Sequence, residues 1–383
     1  MPALNSTKEL GAGSPSCEPD RPLRILMVTA RFLPDMGGIE THVDQVSRRL
    51  VARGYKVSVL ATDRTNACPK NKVHAGVTVI RAKAYPKERD YYISPQVYSN
   101  IRHSDADLIH IQGCHTFVPI FAMLSAIRSS KPFVVTFHSG GHSSRLRSYI
   151  RATQWKLLAP LFRKASHLIG VSRFEKEYFE RTMSIPAERW SVIPNGAEMQ
   201  VKVDVHPDPD VVQLVSIGRL EHYKGHHRAI QALPYILETF PNARLRILGE
   251  GPYKDTLIEL ANRLGVGTRV EVGGVPPSDR EKLARVLGKA RLVMLFSEYE
   301  AHPIAVMEAL SLGRPVLVAN TSGFMELVEE GLVRGEPIHS TPRELAKAVV
   351  SEILSPQQRK EVTLPSWDLC VDKLEEVYKQ SLQ

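Results

Sequence analysis

An apolar run of eight residues, Leu23–Ala30 (LRILMVTA), leads into a loop with Gly37-Gly38. Ile39–Arg53 follows, with apolar or small residues at Ile39, Val43, Val46 and Leu50, and stops at Gly54 before a second short run, Lys56–Thr62. A continuous apolar run of this length suits a strand buried on both faces, as in a parallel sheet. Strand, glycine loop, helix and strand make a βαβ unit, whose right-handed crossover puts both strands in one parallel sheet. The chain is thereby committed to an α/β architecture.

The same alternation continues through the strand Leu108–Gln112, the helix Val118–Arg128 and the strands Pro132–Phe137, Ala165–Val171 and Arg189–Ile193. Asn195-Gly196 predicts a turn, and the polar, Pro- and Asp-rich stretch after it a linker. The pattern then restarts. Val211–Ile217, Ala243–Leu248, Arg269–Val272, Leu292–Phe296 and Pro315–Ala319 are strand candidates, with helices near His226–Phe240, Tyr253–Leu264, Ser278–Ala290 and Pro303–Leu312. With 383 residues there is room for two cores. The expected division is a disordered tail over 1–21, a first Rossmann-like domain over 22–197, a linker over 198–210, a second Rossmann-like domain over 211–361 and a closing helix over 362–383. That helix can pack on the second domain or cross back to the first.

The first twenty residues hold no apolar core of a secretory signal. No run approaches the roughly 18 apolar residues of a membrane-spanning helix. Cys17, Cys68, Cys114 and Cys370 form no CxxC pair, so neither a disulfide framework nor a zinc site is expected, and a reducing cytoplasm fits. The net charge of +9 is unevenly spread: Leu108–Phe174 has no Asp or Glu but carries nine Lys and Arg residues. Such an asymmetry suits an anionic partner. Within it, residues 145–167 are basic and partly amphipathic. They fit either a helix lying on an anionic membrane surface or one packed on its own domain with a basic outer side. Nucleic acid is the weaker reading of the charge, because no aromatic-rich recognition motif accompanies it.

Chemistry-bearing residues cluster in two places. Gly218-Arg219-Leu-Glu-His-Tyr-Lys224-Gly225 leaves the strand Val211–Ile217 at its carboxyl end, where open parallel sheets bind ligands. There Arg219 can fork two hydrogen bonds onto a diphosphate and Lys224 can add a point charge. In Glu300-Ala-His-Pro-Ile-Ala-Val-Met-Glu308-Ala-Leu-Ser-Leu-Gly313, Pro303 is expected as the first helical residue and Gly313 as the C-terminal cap. Glu300 then sits beside a positive helix end suited to phosphate, and Glu308 lies a turn and a half inside. His138, at the end of a strand and before Ser139-Gly140-Gly141, is a candidate site residue. His110, inside a strand, reads as packing. Asp105-Ala-Asp107 and Asp208-Pro-Asp210 look like DxD metal motifs, but one precedes a strand and the other lies in the linker, so both read as coincidence.

Taken in order, these motifs resemble the retaining GT-B glycosyltransferases of the family-four group, from Arg24 nearly to the C-terminus. The Gly37-Gly38 loop, Asp107-Leu-Ile-His110, Thr136-Phe-His138 and Val192-Ile-Pro-Asn-Gly196 match the first half. Gly218-Arg219, Lys224-Gly225, Leu248-Gly249-Glu250-Gly251 and the glutamates 300 and 308 match the second. The resemblance implies two Rossmann-like, doubly wound domains facing each other across a cleft, and transfer of a hexose from a nucleotide sugar with retention. Arg219 and Lys224 would hold the diphosphate, Glu308 the ribose hydroxyls and Glu300 the hydroxyls of the transferred sugar, with Gly249 and Glu250 in the same donor site. His138 would reach the sugar from the opposite domain, and Gly37 and Gly38 would let the backbone approach donor or acceptor. The leaving diphosphate would help deprotonate the acceptor. No cofactor is implied, and two cations replace a metal. One departure stands out: many members have Gly-Phe-Gly after the first glutamate, where this chain has Ala301-His302-Pro303.

UDP-sugars come first as donor and GDP-mannose second. The acceptor, whether lipid-linked, polysaccharide or small molecule, is not written in these motifs. A GT-B epimerase or phosphorylase, and a non-catalytic nucleotide-sugar or glycan binder, remain as alternatives.

Overall fold

The short apolar runs become strands because aliphatic and β-branched side chains fill both faces of a sheet that helices cover. In the computed structural model, Ile25–Thr29 of the first strand are all buried. The structure describes residues 21–383 apart from Met36, Asn66, 87–91, 140–144, Gln200, 202–203, 277–278 and 357–362, and apart from the side chains of 145–151. The expected tail therefore lies outside the described residues except for Arg21.

The first half comprises β1 (Arg24–Thr29), α1 (Gly38–Ala52), β2 (Lys56–Asp63), β3 (Asn71–His74), β4 (Val77–Lys83), α2 (Pro95–Arg102), β5 (Leu108–Gln112), α3 (Val118–Arg128), β6 (Phe133–Thr136), α4 (Arg145–Phe162), β7 (His167–Gly170), α5 (Arg173–Met183) and β8 (Trp190–Val192). The second comprises β9 (Gln213–Ile217), α6 (His226–Leu237), β10 (Arg244–Leu248), α7 (Lys254–Arg263), β11 (Val270–Val272), α8 (Arg280–Gly288), β12 (Leu292–Leu295), α9 (Ile304–Ser311), β13 (Val316–Ala319), α10 (Phe324–Glu329), β14 (Arg334–Glu336), α11 (Pro342–Leu354) and α12 (Trp367–Leu382). Residues 198–210 hold neither helix nor strand among those described.

The strands make two sheets, ordered β3-β4-β2-β1-β5-β6-β7-β8 and β11-β10-β9-β12-β13-β14. Every pairing between these strands is parallel except β3 with β4. In each sheet the order reverses at its middle, between β1 and β5 and between β9 and β12. The sequence pattern does not announce the β3–β4 hairpin. Its two-residue loop is Ala75-Gly76, both at positive φ (48° and 80°), a conformation that Asn-Gly or Asp-Gly would have signalled.

Two features depart from the sequence expectations. There is no turn at Asn195-Gly196. Gly196 instead lies against Trp367, whose indole would be 2.5 Å from an added Cβ, so the glycine is required for space and Asn195 is buried where the halves meet. Pro303 is the N-cap of α9 rather than its first helical residue, with ψ at 106° in the extended region. Its missing N–H falls just outside the helix, where no intrahelical bond needs it.

The last helix belongs to the first domain. Trp367, Val371, Leu374, Val377 and Tyr378 share a core with Val43, Val46 and Leu50 of α1, each contributing about 1.5–3 kcal/mol of burial. Arg53 fixes the register by pairing with Asp368, Asp372 and Glu375. The chain thus crosses from the second domain back to the first.

Candidate functional site

Open parallel sheets bind ligands outside the carboxyl ends of the strands where the order reverses. In the second sheet these are β9 and β12, and the loops leaving them carry Arg219, Lys224 and Glu300. Lys224 Nζ donates to Glu300 Oε1 at 2.5 Å, and both side chains are only about 15% exposed (15% and 14%). The loops are pressed together: Tyr223 and Tyr299 stack at 4.5 Å with planes 10° apart, and Glu298 N donates to Tyr223 O at 2.8 Å. Gly225, at φ 72°, is forced by this approach, since a Cβ there would lie 2.1 Å from Phe296 O. Arg219 is half exposed and pairs with Glu221 at 2.8 Å.

Glu300 is held by its backbone. Its N–H donates to Ser322 Oγ at 2.7 Å, and its carbonyl accepts from Gly323 N at 2.9 Å. Glu308, on α9, is 4% exposed and forms an ion pair with Arg280 of α8. Burial raises its pKa, and Arg280 opposes that rise. Gly249, at φ 148°, lies so close to Gly218 that a Cβ would be 1.9 Å from its carbonyl oxygen. The geometry of Gly249 is that of one loop packing on another. Glu250 has an exposed side chain and accepts Leu220 N through its carbonyl at 2.9 Å.

The first sheet contributes from its own reversal, between β1 and β5. Gly37 and Gly38 open α1, and a Cβ on Gly38 would meet nothing within 4 Å. Glu40, in the first turn, has its pKa raised by burial, against the opposing effects of its own backbone N–H and of the charges of Arg31 and Arg219. His138 follows β6 at φ 57°, a conformation that costs a non-glycine residue about 1–3 kcal/mol and persists only where its surroundings enforce it. Its Nε2 is 2.8 Å from Gln112 Oε1, and Gln112 Nε2 is 3.1 Å from His110 Nε2. His110 Nδ1 completes the row 2.6 Å from Tyr378 Oη. An amide oxygen can only accept, so His138 carries its proton on Nε2 and leaves Nδ1 with a free lone pair. Burial, and after it neighbouring His42, pulls the His138 pKa well below its usual value.

The halves meet at Asn195. Its Oδ1 lies 2.8 Å from His42 Nδ1, and its Nδ2 donates to the carbonyl of His302 at 3.1 Å. His42 and His138 make an edge-on contact at 4.7 Å.

The structure therefore brings Arg219, Lys224 and Glu300 together on one side and His138 with the Gly37-Gly38 helix end on the other. Glu308 lies deeper in α9. Sequence reasoning missed Gln112, Arg280 and Ser322, because none stands in a local pattern that signals a site, and it took Asn195, inside the motif Val192-Ile-Pro-Asn-Gly196, for part of a turn rather than a bridge. Asp105 and Asp107 are paired to Arg24, and Asp107 also to Arg21, at the starting end of β5, away from the site. In the linker, Asp208 Oδ1 accepts Asp210 N at 2.9 Å. In α4, Trp155, Ala159 and Phe162 are buried while Leu157 is 76% exposed. Among the described residues no helix is long and apolar enough to cross a membrane.

Comparison with known proteins agrees with this geometry. Residues 36–201 match the family described as Glycosyltransferase Family 4, and residues 201–363 match Glycosyl transferases group 1. A phosphatidylinositol N-acetylglucosaminyltransferase subunit of Arabidopsis thaliana is 25% identical over 94% of this chain and 83% of its own. The glycogen synthase of Mycobacterium tuberculosis is 28% identical over 85% of this chain and 84% of its own. Among solved structures, Anabaena HepE in complex with UDP and glucose superposes with a TM-score of 0.70 at 19% identity, covering 93% of this chain and 99% of that one. Two parallel sheets whose reversal points face each other, together with these matches, make the chain a member of the family-four glycosyltransferases of GT-B fold.

Proposed function

We propose that this chain transfers a hexose from a nucleoside diphosphate sugar, a UDP-sugar ahead of GDP-mannose, with retention and without a metal ion. The observation that carries the proposal is the Lys224–Glu300 pair at the reversal point of the second sheet, with Arg219 beside it and His138 on the facing domain. Two cations and a helix end are what a leaving diphosphate needs as charge grows on it. Arg219 and Lys224 grip the diphosphate, Glu308 the ribose, and Glu300, freed from Lys224, accepts from sugar hydroxyls. Gly249 and Glu250 shape the loop beneath the donor. The lone pair on His138 Nδ1 accepts from a sugar hydroxyl across the cleft, while Gly37 and Gly38 let the acceptor approach α1. The leaving diphosphate takes the acceptor proton on the same face, which gives retention.

The UDP donor is supported by the glucose and UDP named in the HepE complex. A lipid-linked acceptor is supported by the phosphatidylinositol named in the Arabidopsis relative. Exposed Lys156 and Leu157 of α4, with exposed Arg163 and Lys164 after it, suit an anionic membrane surface on the cytoplasmic side.

Thermal stabilisation by UDP-glucose, UDP-GlcNAc and GDP-mannose, with EDTA and with magnesium, tests the donor and the metal. A ligand at 100 times its Kd adds about 2.7 kcal/mol. One donor should stand out equally in both buffers, and NMR of its product should show the donor's anomeric configuration. Inversion, a requirement for magnesium, or no stabilisation at all would overturn the corresponding part.

A further inference from the structure

Glu175 is fully buried, and the chemistry above gives it nothing to do. It is the third residue of α5, whose N-cap Ser172 accepts Glu175 N at 3.2 Å. A glutamate at this position ordinarily bonds back to the N-cap residue's own N–H. Here its Oε2 accepts Val171 N at 2.7 Å, and its Oε1 accepts Ser139 N from the loop after β6. Burial lifts the pKa of this carboxyl to about 8, and the backbone N–H groups of Ser139, Val171 and His138 oppose that rise. Both hydrogen-bond donors are backbone N–H groups. The group is spent on holding the His138 loop, at the residue whose left-handed backbone needs enforcement.

The same helix end is tied to the other domain. Phe174 N, a free donor of the first turn, donates to Glu326 Oε1 at 2.5 Å. Arg173 flanks that carboxylate, with Nε 3.7 Å from its Oε2. Glu326 lies in the first turn of α10, directly after Ser322 and Gly323, the two residues that hold the backbone of Glu300. Hydrogen bonds joined by short stretches of chain thus link Glu300, through α10 and the start of α5, to the residue after His138.

We propose that Glu175 is a positioning residue that sets His138 toward the transferred sugar, and that Glu326 registers the same helix end against the Glu300 loop across the cleft. This rests on the proposed role of His138 at the donor sugar. Packed elements with discrete arrangements carry such coupling, and double-mutant cycles measure it.

The test uses the full chain, with release of nucleotide from UDP-glucose, UDP-GlcNAc and GDP-mannose as rate and calorimetric binding of UDP and GDP as a second readout. Above pH 8, where the carboxyl is ionised, Glu175→Gln puts an amide N–H against a backbone N–H, and there it should lower kcat about 10- to 100-fold while KM and nucleotide affinity move less than about twofold. Glu326→Gln, at a partly exposed position that leaves folding intact, should lower kcat about 3- to 10-fold. In a His138→Ala background, Glu175→Gln should cost less than twofold more, because the residue it positions is gone. A full additional loss in that background, or kcat, affinity and melting temperature falling together, would make Glu175 merely structural and overturn the proposal. If His138→Ala is slow but both carboxylate variants run at the wild-type rate, the positioning role fails and the proposed function stands. If His138→Ala itself runs at the wild-type rate, the role of His138 fails and this inference with it.

Discussion

Lys224 and Glu300, 76 residues apart in sequence, share one hydrogen bond of 2.5 Å where the strands carrying them lie side by side. The cation proposed for the diphosphate is held by the carboxylate proposed for the sugar. On the proposed roles, donor binding would exchange one partner of Lys224 for another, and the two residues should have separable effects. Lys224→Ala should lower kcat/KM by about 100- to 1,000-fold. Glu300→Gln should bind free UDP at least as tightly as the wild type while losing transfer. Calorimetry with UDP beside initial rates checks both, and weaker UDP binding by Glu300→Gln would count against the exchange.

Arg280 and Glu308 form a buried pair, and removing one partner of such a pair costs about 3–5 kcal/mol. Arg280→Ala should unfold earlier on heating than the Arg280→Met/Glu308→Gln double variant, which leaves no uncompensated charge. Both should bind UDP less tightly, since each disturbs the glutamate proposed to hold the ribose. Equal melting temperatures for single and double variants would refute the pairing argument.

The glycines divide into two kinds. Gly249→Ala must place a Cβ 1.9 Å from Gly218 O at φ 148°, so it should fail to fold stably. Gly38→Ala meets nothing within 4 Å, and in a helical position it should leave stability unchanged or raise it by up to about 1 kcal/mol. If Gly38 serves close approach of a substrate, its alanine variant will lose transfer rate at an undiminished melting temperature. An unchanged rate would remove Gly38 from the site.

Acid should destabilise the fold through its buried histidines. Burial pulls His42 from 6.5 to about 4 and His110 to about 3. Below pH 6.5 the unfolded chain binds protons there that the folded chain refuses. Stability then falls by about 1.4 kcal/mol per pH unit for each, levelling off below the folded values. Glu175 runs the other way: its carboxyl, lifted from 4.5 to about 8, loses stability as pH rises between those values. Two histidines outweigh one glutamate between pH 4.5 and 6.5, so urea midpoints should drop from pH 6.5 to 5. His42→Gln should flatten that slope, and an unaltered slope would exclude His42 as its source.

What was legible in the sequence was local. The runs that became β1, β5, β9 and β12 were visible because a strand buried on both faces needs nothing but apolar residues. The end of α9 was visible because Gly313, at φ 69°, is a backbone requirement that one residue meets alone. The order of motifs was enough to place Arg219, Lys224 and Glu300 at strand ends.

The tertiary structure decided everything that depends on which elements lie side by side. Asn195-Gly196 reads as a turn from its dipeptide, yet Trp367, 171 residues later, is what makes the glycine necessary. The pairing of Glu308 with Arg280, and of Glu175 with the His138 loop, follows from helix placement, which no local period encodes. The crossing of α12 back onto α1 was equally hidden, because an amphipathic face states that it must be buried but not against what.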